Sequence, residues 1–358
     1  MSLFDNILKD GETLFKNEYA LDFEFVPKTL PFRENEQHYI ASCIKPLLNH
    51  RQGKNLFIFG PSGIGKTAAT RFVLRELEEE TDSVIPIYIN CWKKNTSYKI
   101  AYDICEQLNL KFLQNKRTDE LFHLAKKVLT KIPAVFAFDE IDKLEENDLL
   151  YFILEEIPRK TILLITNYKE WIAQLDSRIR SRLTAEFLEF RPYKPNEIKE
   201  ILRQRIEYAF FPSVWQPEAF NLIAEKTAQL NDIRTGLFLL REAGNIAEMQ
   251  ASRKITIEHA KKAIEKIDDF SIKDSDLLEP DLREILSIVK QNDNKKIGDL
   301  YKIYKEKTGS LISYKTFQRK IKKLAKDGFI SVTKTGGGDL GNTSIIRYQK
   351  IKKLTDFR

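Results

Sequence analysis

Gly60-Pro61-Ser62-Gly63-Ile64-Gly65-Lys66-Thr67 decides how this chain is read. The stretch matches the phosphate-binding loop G-x-x-x-x-G-K-[ST] at every specified position. Leu56-Phe57-Ile58-Phe59 precedes it, an apolar run suited to a buried parallel strand. Ala68 to Leu77 follows it, with Ala69, Phe72, Val73 and Leu77 at helical spacing. Strand, glycine loop and helix come in the order that phosphate binding needs. The glycines let backbone N–H groups curl round a phosphate chain, and the helix N-terminus adds partial positive charge. Lys66 is expected to reach the β- and γ-phosphates, and the Thr67 hydroxyl to bind Mg²⁺. Gly60 to Thr67, with Ala68 and Ala69, is therefore the candidate segment for a nucleoside triphosphate.

The 358 residues suggest two or three domains, and a 42% apolar fraction suffices for real cores. The net charge of +7 is unevenly spread. From Asp281 to the end there are 19 Lys and Arg against 8 Asp and Glu, whereas the rest of the chain has 40 against 44. A basic final segment points to nucleic acid or an acidic surface. Cys43, Cys91 and Cys105 are far apart and odd in number, which suggests neither a disulfide framework nor a zinc site and fits a reducing cytosol. Met1 to Asp10 lacks the pattern of a signal peptide. No apolar stretch approaches the roughly twenty residues a membrane helix needs.

Residues 1 to about 18 read as a short helix or mobile arm, followed by an extended segment through Val26, Pro27 and Pro31. A helix is expected from Glu34 to about Asn49. After the phosphate loop, Ile85 to Asn90 reads as a strand, and helices are expected over Tyr98–Leu108 and Thr118–Thr130. Further strands are Ala134–Phe138, Thr161–Ile165 and Ala185–Phe190. Strands alternating with helices predict an α/β fold, a parallel sheet covered on both faces. Ligands of such sheets sit at the carboxyl ends of the strands, where the phosphate loop, Asp139, Glu140 and Asn167 all fall. Beyond Pro192 and Pro195 the pattern is helical, a small all-α domain of about 192–268. Residues 269–280 read as a linker. The last segment, 281–358, reads as three helices and a hairpin, a winged helix–turn–helix.

Hydrolysis of a nucleoside triphosphate needs a metal, an oriented water and charge neutralisation. Asp139 is the candidate metal partner with Thr67, and Glu140 the candidate general base. Asn167 would polarise the attacking water, although an Asn after a strand is also ordinary turn chemistry. Asp176-Ser177-Arg178-Ile179-Arg180-Ser181-Arg182-Leu183 is dense in arginine. It reads either as the source of a transition-state arginine for a neighbouring subunit or as a basic helix end. Arg234 would start a lid helix and reach the γ-phosphate, or serve as a salt-bridge residue.

Taken in order, these stretches resemble the AAA+ ATPases, and more narrowly the archaeal replication initiators of the origin-recognition-complex and cell-division-control type. The resemblance runs from Ala20-Leu21-Asp22 to Pro31-Phe32-Arg33-Glu34, then through the Gly60–Thr67 loop, Phe138-Asp139-Glu140-Ile141-Asp142 and Ile165-Thr166-Asn167. It continues at Leu175-Asp176-Ser177-Arg178, Pro192-Tyr193 and Asn231-Asp232-Ile233-Arg234. It implies that Val26 and Pro27 wall the adenine, that Asn167 and Arg234 sense the γ-phosphate, and that Tyr193 and Arg205 contact nucleotide. The helical pair between Tyr98 and Thr130 matches the family's DNA-contacting insertion. Either Arg178 or Arg182 fits the finger position. Implied partners are double-stranded origin DNA, the replicative helicase and paralogous initiator subunits, in the cytoplasm on the nucleoid. A signalling or defence NTPase switch carries the same order of modules and is the alternative.

In the winged helix, the recognition helix is expected over Ser313–Lys326, with Ser313 as N-cap and Phe317, Ile321 and Leu324 facing inward. Lys315, Thr316, Arg319, Lys322 and Lys323 then face mostly outward. Arg319 suits a guanine edge and the lysines suit phosphate. At the wing, Lys334, Gly336 and Gly337 would allow close approach to DNA.

Overall fold

A computed structural model describes residues 13–276, 279–308, 312–326, 329–335 and 343–348. These form two compact units. The first is Asn17–Ala209 with Asn231–Ile233, and the second holds the described residues up to Lys16, Phe210–Leu230 and the chain from Arg234 on.

The first unit is built on a five-stranded parallel sheet. In chain order it contains α1 (Glu34–Leu48), β1 (Leu56–Phe59), α2 (Lys66–Glu80), β2 (Ile85–Asn90), α3 (Ser97–Gln107), α4 (Thr118–Leu129) and β3 (Ala134–Asp139). These are followed by α5 (Asp148–Glu156), β4 (Lys160–Thr166), α6 (Trp171–Gln174), α7 (Ser177–Leu183), β5 (Glu186–Glu189) and α8 (Pro195–Ala209). The strand order is β2-β3-β4-β1-β5, and every pairing is parallel. Parallel strands need crossovers, which the helices supply. Every residue of β1, β3 and β4 is buried, as expected of strands covered on both faces. Edge strand β5 alternates between half-buried Glu186 and Leu188 and exposed Phe187 and Glu189. Phe57, Phe136, Phe138, Ile162 and Leu164 are fully buried in the core of the unit. The α3–α4 pair joins that core through Ile100, Ile104, Leu121 and Leu129. Thr96 caps α3 by accepting the Lys99 N–H.

The second unit carries α9 (Pro217–Leu230), α10 (Ile233–Met249), whose first residue belongs to the first unit, and α11 (Ile257–Asp276). The stretch expected to be a linker from residue 269 is instead helical to Asp276. Apart from Phe270 and Ile272 its residues are polar, but no Gly or Pro interrupts them, so nothing stops a helix already nucleated at Ile257. The helical-domain boundary expected at 192 also differs from the compact units, since α8 groups with the sheet.

The rest of the second unit is α12 (Pro280–Gln291), β6 (Lys295–Lys296), α13 (Ile297–Thr308), α14 (Tyr314–Lys326), β7 (Ile330–Thr335) and β8 (Thr343–Tyr348). The three strands pair antiparallel in the order β6-β8-β7. Leu282, Ile285, Val289, Leu300, Phe317, Ile321, Leu324 and Ile346 form one core. This is the three-helix, winged arrangement expected, with the short strand β6 added. The glycines expected at the wing tip, Gly336 and Gly337, lie outside the described residues, as do residues 1–12 of the expected N-terminal arm.

Candidate functional site

The register of the sheet brings the phosphate loop and its partners to one edge. Phe59, which leads into the loop, is level with Thr166, and Asn90 with Asp139. In the loop, Gly60, Gly63 and Gly65 have φ of 145°, 75° and 90°, the region that favours glycine. A Cβ on Gly63 would lie 1.9 Å from Oδ1 of Asp232, and one on Gly65 would lie 2.7 Å from the Tyr193 hydroxyl. The loop is therefore gripped from outside. Asp232 is fully buried, and the Ile233 N–H donates to the Gly63 carbonyl at 3.3 Å. Pro61, Ser62 and Ile64 complete the turn, and Ala68 and Ala69 continue it into α2, with Ala69 N–H donating to the Gly65 carbonyl.

Lys66 is buried, and its ammonium donates to the carbonyls of Gly60 and Pro61, both at 2.7 Å, and to Oδ1 of Asn167 at 2.8 Å. Thr67 Oγ1 donates to Oδ2 of Asp139 at 2.8 Å. Lys66, Thr67, Asp139 and Asn167 thus meet as expected from three separate strand ends. Glu140 follows Asp139 in the left-handed region, with φ 53° and ψ 45°, turning the chain sharply out of β3. Such a conformation is uncommon in a residue with a Cβ.

The hydroxyl of Thr67 and the carboxylate of Asp139 are hard oxygen donors beside a lysine, which is the donor set Mg²⁺ takes when it also binds phosphate oxygens. Among the described residues there is no cluster of three or more His, Cys, Asp or Glu able to hold a metal alone. Such a pair fits a metal shared with a nucleotide.

Val26 and Pro27 are held by the Arg75 guanidinium, which donates to both their carbonyls at 3.2 Å. Arg205 is buried, donating to the carbonyls of Ala20 at 3.0 Å and Phe25 at 3.4 Å, and its Nε has no partner among the described residues. Burial pushes its pKa down to about 10. Arg205 therefore braces the segment that leads into Val26 and Pro27. Tyr193 is also buried, with the Arg33 guanidinium 3.9 Å from its ring centroid.

On α7 the two candidate arginines differ. Arg182 pairs with Glu155 and lies 5.5 Å over the ring of Tyr151. The Arg178 side chain is exposed and makes no ion pair among the described residues. Arg234 is half-buried in the first turn of α10, next to Asp232 and Ile233 in the chain.

At the recognition helix α14, Ser313 caps as expected, its Oγ accepting the Thr316 N–H at 3.2 Å. Lys315, Arg319 and Lys322 lie on the helix with Thr316, and Lys315 and Lys322 are exposed. Lys323 is exposed but pairs with Glu279 at 2.8 Å, and Lys320 pairs with Asp281 at 2.8 Å. Lys334 lies on β7.

Sequence reasoning assigned no role to Arg33, Tyr88 or Asp232. Arg33 is buried and donates to the Ile64 carbonyl at 3.2 and 3.0 Å and to the Arg191 carbonyl at 2.6 Å, underpinning the phosphate loop. Its only signal was the Arg33-Glu34 pair ahead of the loop. Tyr88 donates to Oδ2 of Asp139 at 2.7 Å. Nothing local distinguishes a strand tyrosine aimed at a carboxylate from one in a core.

Residues 49–168 match the family model for an AAA domain, and residues 199–265 match a Cdc6 AAA+ ATPase-type lid domain. The chain is 31% identical to the ORC1-type DNA replication protein 1 of Archaeoglobus fulgidus, across 99% of this chain and 92% of that protein. It is similar to the solved Aeropyrum pernix ORC1 protein in complex with DNA, with TM-score 0.67, 28% identity, and coverage of 96% and 95% of the two chains. The fold also matches the Aeropyrum pernix ORC2 protein in ADPNP–ADP complexes, with TM-score 0.73 at 18% identity over 94% of both chains.

Proposed function

The chain belongs to the ORC1-type DNA replication proteins, and on that premise we propose that it is an ATP-dependent replication initiator. In this reading it binds duplex origin DNA, and the bound nucleotide governs both that grip and the loading of the replicative helicase. The observation that carries the nucleotide half is the meeting of Lys66 with Asn167 and of Thr67 with Asp139 at one sheet edge. Family membership sets aside the signalling or defence switch, which shares only the order of modules.

The loop N–H groups from Gly60 to Thr67 cradle the phosphates, and Lys66 exchanges its carbonyl partners for phosphate oxygens. Thr67 and Asp139 would hold Mg²⁺, which when bound would neutralise charge on the phosphate oxygens. Asn167 orients the attacking water and Glu140 accepts its proton, giving slow hydrolysis to ADP and phosphate. Arg234 reads the γ-phosphate, and Val26 and Pro27 wall the base, with Tyr193 and Arg205 supporting the pocket. Arg178, free of an ion pair among the described residues, is the better trans finger than Arg182. Functional domains follow residues 1–191, 192–268 and 281–358.

For DNA, Lys315, Thr316, Arg319 and Lys322 of α14 face the duplex, with Lys323 released from Glu279 and the wing at Lys334, Gly336 and Gly337 alongside. The α3–α4 pair is the second contact. Paralogous initiator subunits and the helicase are the protein partners. The protein works on the nucleoid in the cytoplasm, and among the described residues no helix is long and apolar enough to cross a membrane.

Footprinting on genomic DNA with ATP, ADP and Glu140→Gln tests the reading. It expects a discrete, salt-sensitive footprint whose extent changes with nucleotide. Uniform, nucleotide-independent protection of all sequences would overturn it.

A further inference from the structure

Tyr88 lies in β2, one of the two edge strands of the parallel sheet. Its hydroxyl donates at 2.7 Å to Oδ2 of Asp139, the same oxygen that accepts the Thr67 hydroxyl at 2.8 Å. Oδ1 of Asp139 accepts the Glu140 N–H at 3.0 Å. Three donors therefore set the plane and tilt of this carboxylate, and two of them converge on the oxygen that faces the phosphate loop. The Tyr88 side chain is half-buried, with its hydroxyl turned to the carboxylate. The guanidinium of Arg71 sits over its ring, 5.5 Å from the centroid.

The backbone of the same residue is engaged from the other side. An edge strand leaves alternate N–H and C=O groups without a neighbouring strand. At Tyr88 the Gln107 side chain fills that role. The Tyr88 N–H donates to Gln107 Oε1 at 3.1 Å, and Gln107 Nε2 donates to the Tyr88 carbonyl at 3.0 Å. Gln107 is the last residue of α3. Its Nε2 also donates to Oδ2 of Asp103 at 3.1 Å, and the other oxygen of Asp103 takes the Lys94 ammonium. A continuous path thus runs from α3 through Gln107 and Tyr88 to Asp139.

We infer that Tyr88 is a positioning residue for the metal-side carboxylate Asp139, and that Gln107 ties this carboxylate to helix α3. The inference rests on the reading of Thr67 and Asp139 as the Mg²⁺ side of a nucleotide site. A residue that orients a metal partner acts on metal affinity more than on nucleotide affinity, because the loop still holds the phosphates without the metal. A shift of α3, one of the two inserted helices, would reach Asp139 through two hydrogen-bonded side chains.

The test uses the full chain, a fluorescent N-methylanthraniloyl ADP as probe, and titration with MgCl₂. Tyr88→Phe keeps the ring and removes only the hydroxyl. It is expected to need about tenfold more Mg²⁺ to reach the half-point of tight binding. Its affinity for the probe in EDTA should equal that of the unmodified chain. Gln107→Ala, at the end of α3, should shift the Mg²⁺ half-point in the same direction by less. The double variant should go no further than Tyr88→Phe alone. A Tyr88→Phe half-point equal to that of the unmodified chain overturns the positioning role. An unshifted Gln107→Ala, or fully additive shifts, overturns the tie to α3. If the unmodified chain binds the probe identically with and without Mg²⁺, the reading of the metal side itself falls and takes the inference with it.

Discussion

Glu140, the proposed base, takes a backbone conformation, φ 53°, that is costly in a residue with a Cβ. The sharp turn lies between two adjacent acids for which different tasks are proposed. Glu140→Gln is expected to retain ATP binding and to lower single-turnover hydrolysis roughly 10²–10⁴-fold. Hydrolysis at the original rate would remove Glu140 as base. Gly63 makes a second residue-scale case. Its φ of 75°, and Asp232 Oδ1 only 1.9 Å from where a Cβ would lie, leave no room for alanine. Gly63→Ala should cost about 1–3 kcal/mol in urea unfolding and weaken nucleotide binding by displacing Asp232. Gly63 was legible in the sequence as part of a loop. Its gripping by Asp232, far along the chain, was not, because only folding brings Asn231–Ile233 to the loop.

Among the elements, α7 shows two arginines one helical turn apart with different surroundings. Arg182→Ala should lower stability by no more than about 1 kcal/mol, the usual worth of an exposed pair. Arg178→Ala should leave the melting curve unchanged and lower ATP hydrolysis by roughly 10³-fold, only at protein concentrations where copies assemble. Concentration-dependent ATPase assays separate the two. On α11, His259 is buried, and its Nδ1 accepts the Thr256 N–H at 3.0 Å while Nε2 meets Gln250 Oε1 at 3.2 Å. Burial, with Lys262 nearby and Glu258 opposing, lowers its pKa from 6.5. Folded and unfolded chains both carry the neutral ring well above that value. As pH falls through 6.5 the unfolded chain takes up the proton first, so stability drops. Between roughly pH 7.5 and 5.5, urea midpoints should fall more for the unmodified chain than for His259→Gln. Most of these helices could be read from apolar spacing, but α11 shows the weakness of that signal. A polar stretch without helix breakers looks the same as a linker, and continuation of a formed helix decided it.

For the whole molecule, charge asymmetry is the informative quantity. Of the 19 basic residues from Asp281 to the end, set against 8 acidic ones there, Lys320 and Lys323 are already paired, with Asp281 and Glu279. The cations of α14 left for phosphate are therefore fewer than composition suggests. DNA affinity should fall with salt at a slope of about 0.9 per phosphate contact, and Lys322→Ala should reduce that slope by about one contact. Arg319→Ala should instead relax sequence preference at one position, at a cost of about 1–3 kcal/mol. Fluorescence anisotropy across a salt series, on matched and mismatched duplexes, distinguishes these outcomes.

By itself, the sequence determined every strand except β6, the phosphate loop, the acid pair after β3 and the basic helix α14. Each is a local pattern whose period or spacing reflects backbone geometry. The tertiary structure alone decided which partners those residues meet. The burial of Arg33 beneath Ile64, the contact of Asp232 with Gly63, the pairing of Arg182 with Glu155 and the path from Gln107 through Tyr88 to Asp139 all join distant positions. Such contacts depend on strand order and register, and here the order β2-β3-β4-β1-β5 sets side by side elements that the chain keeps apart.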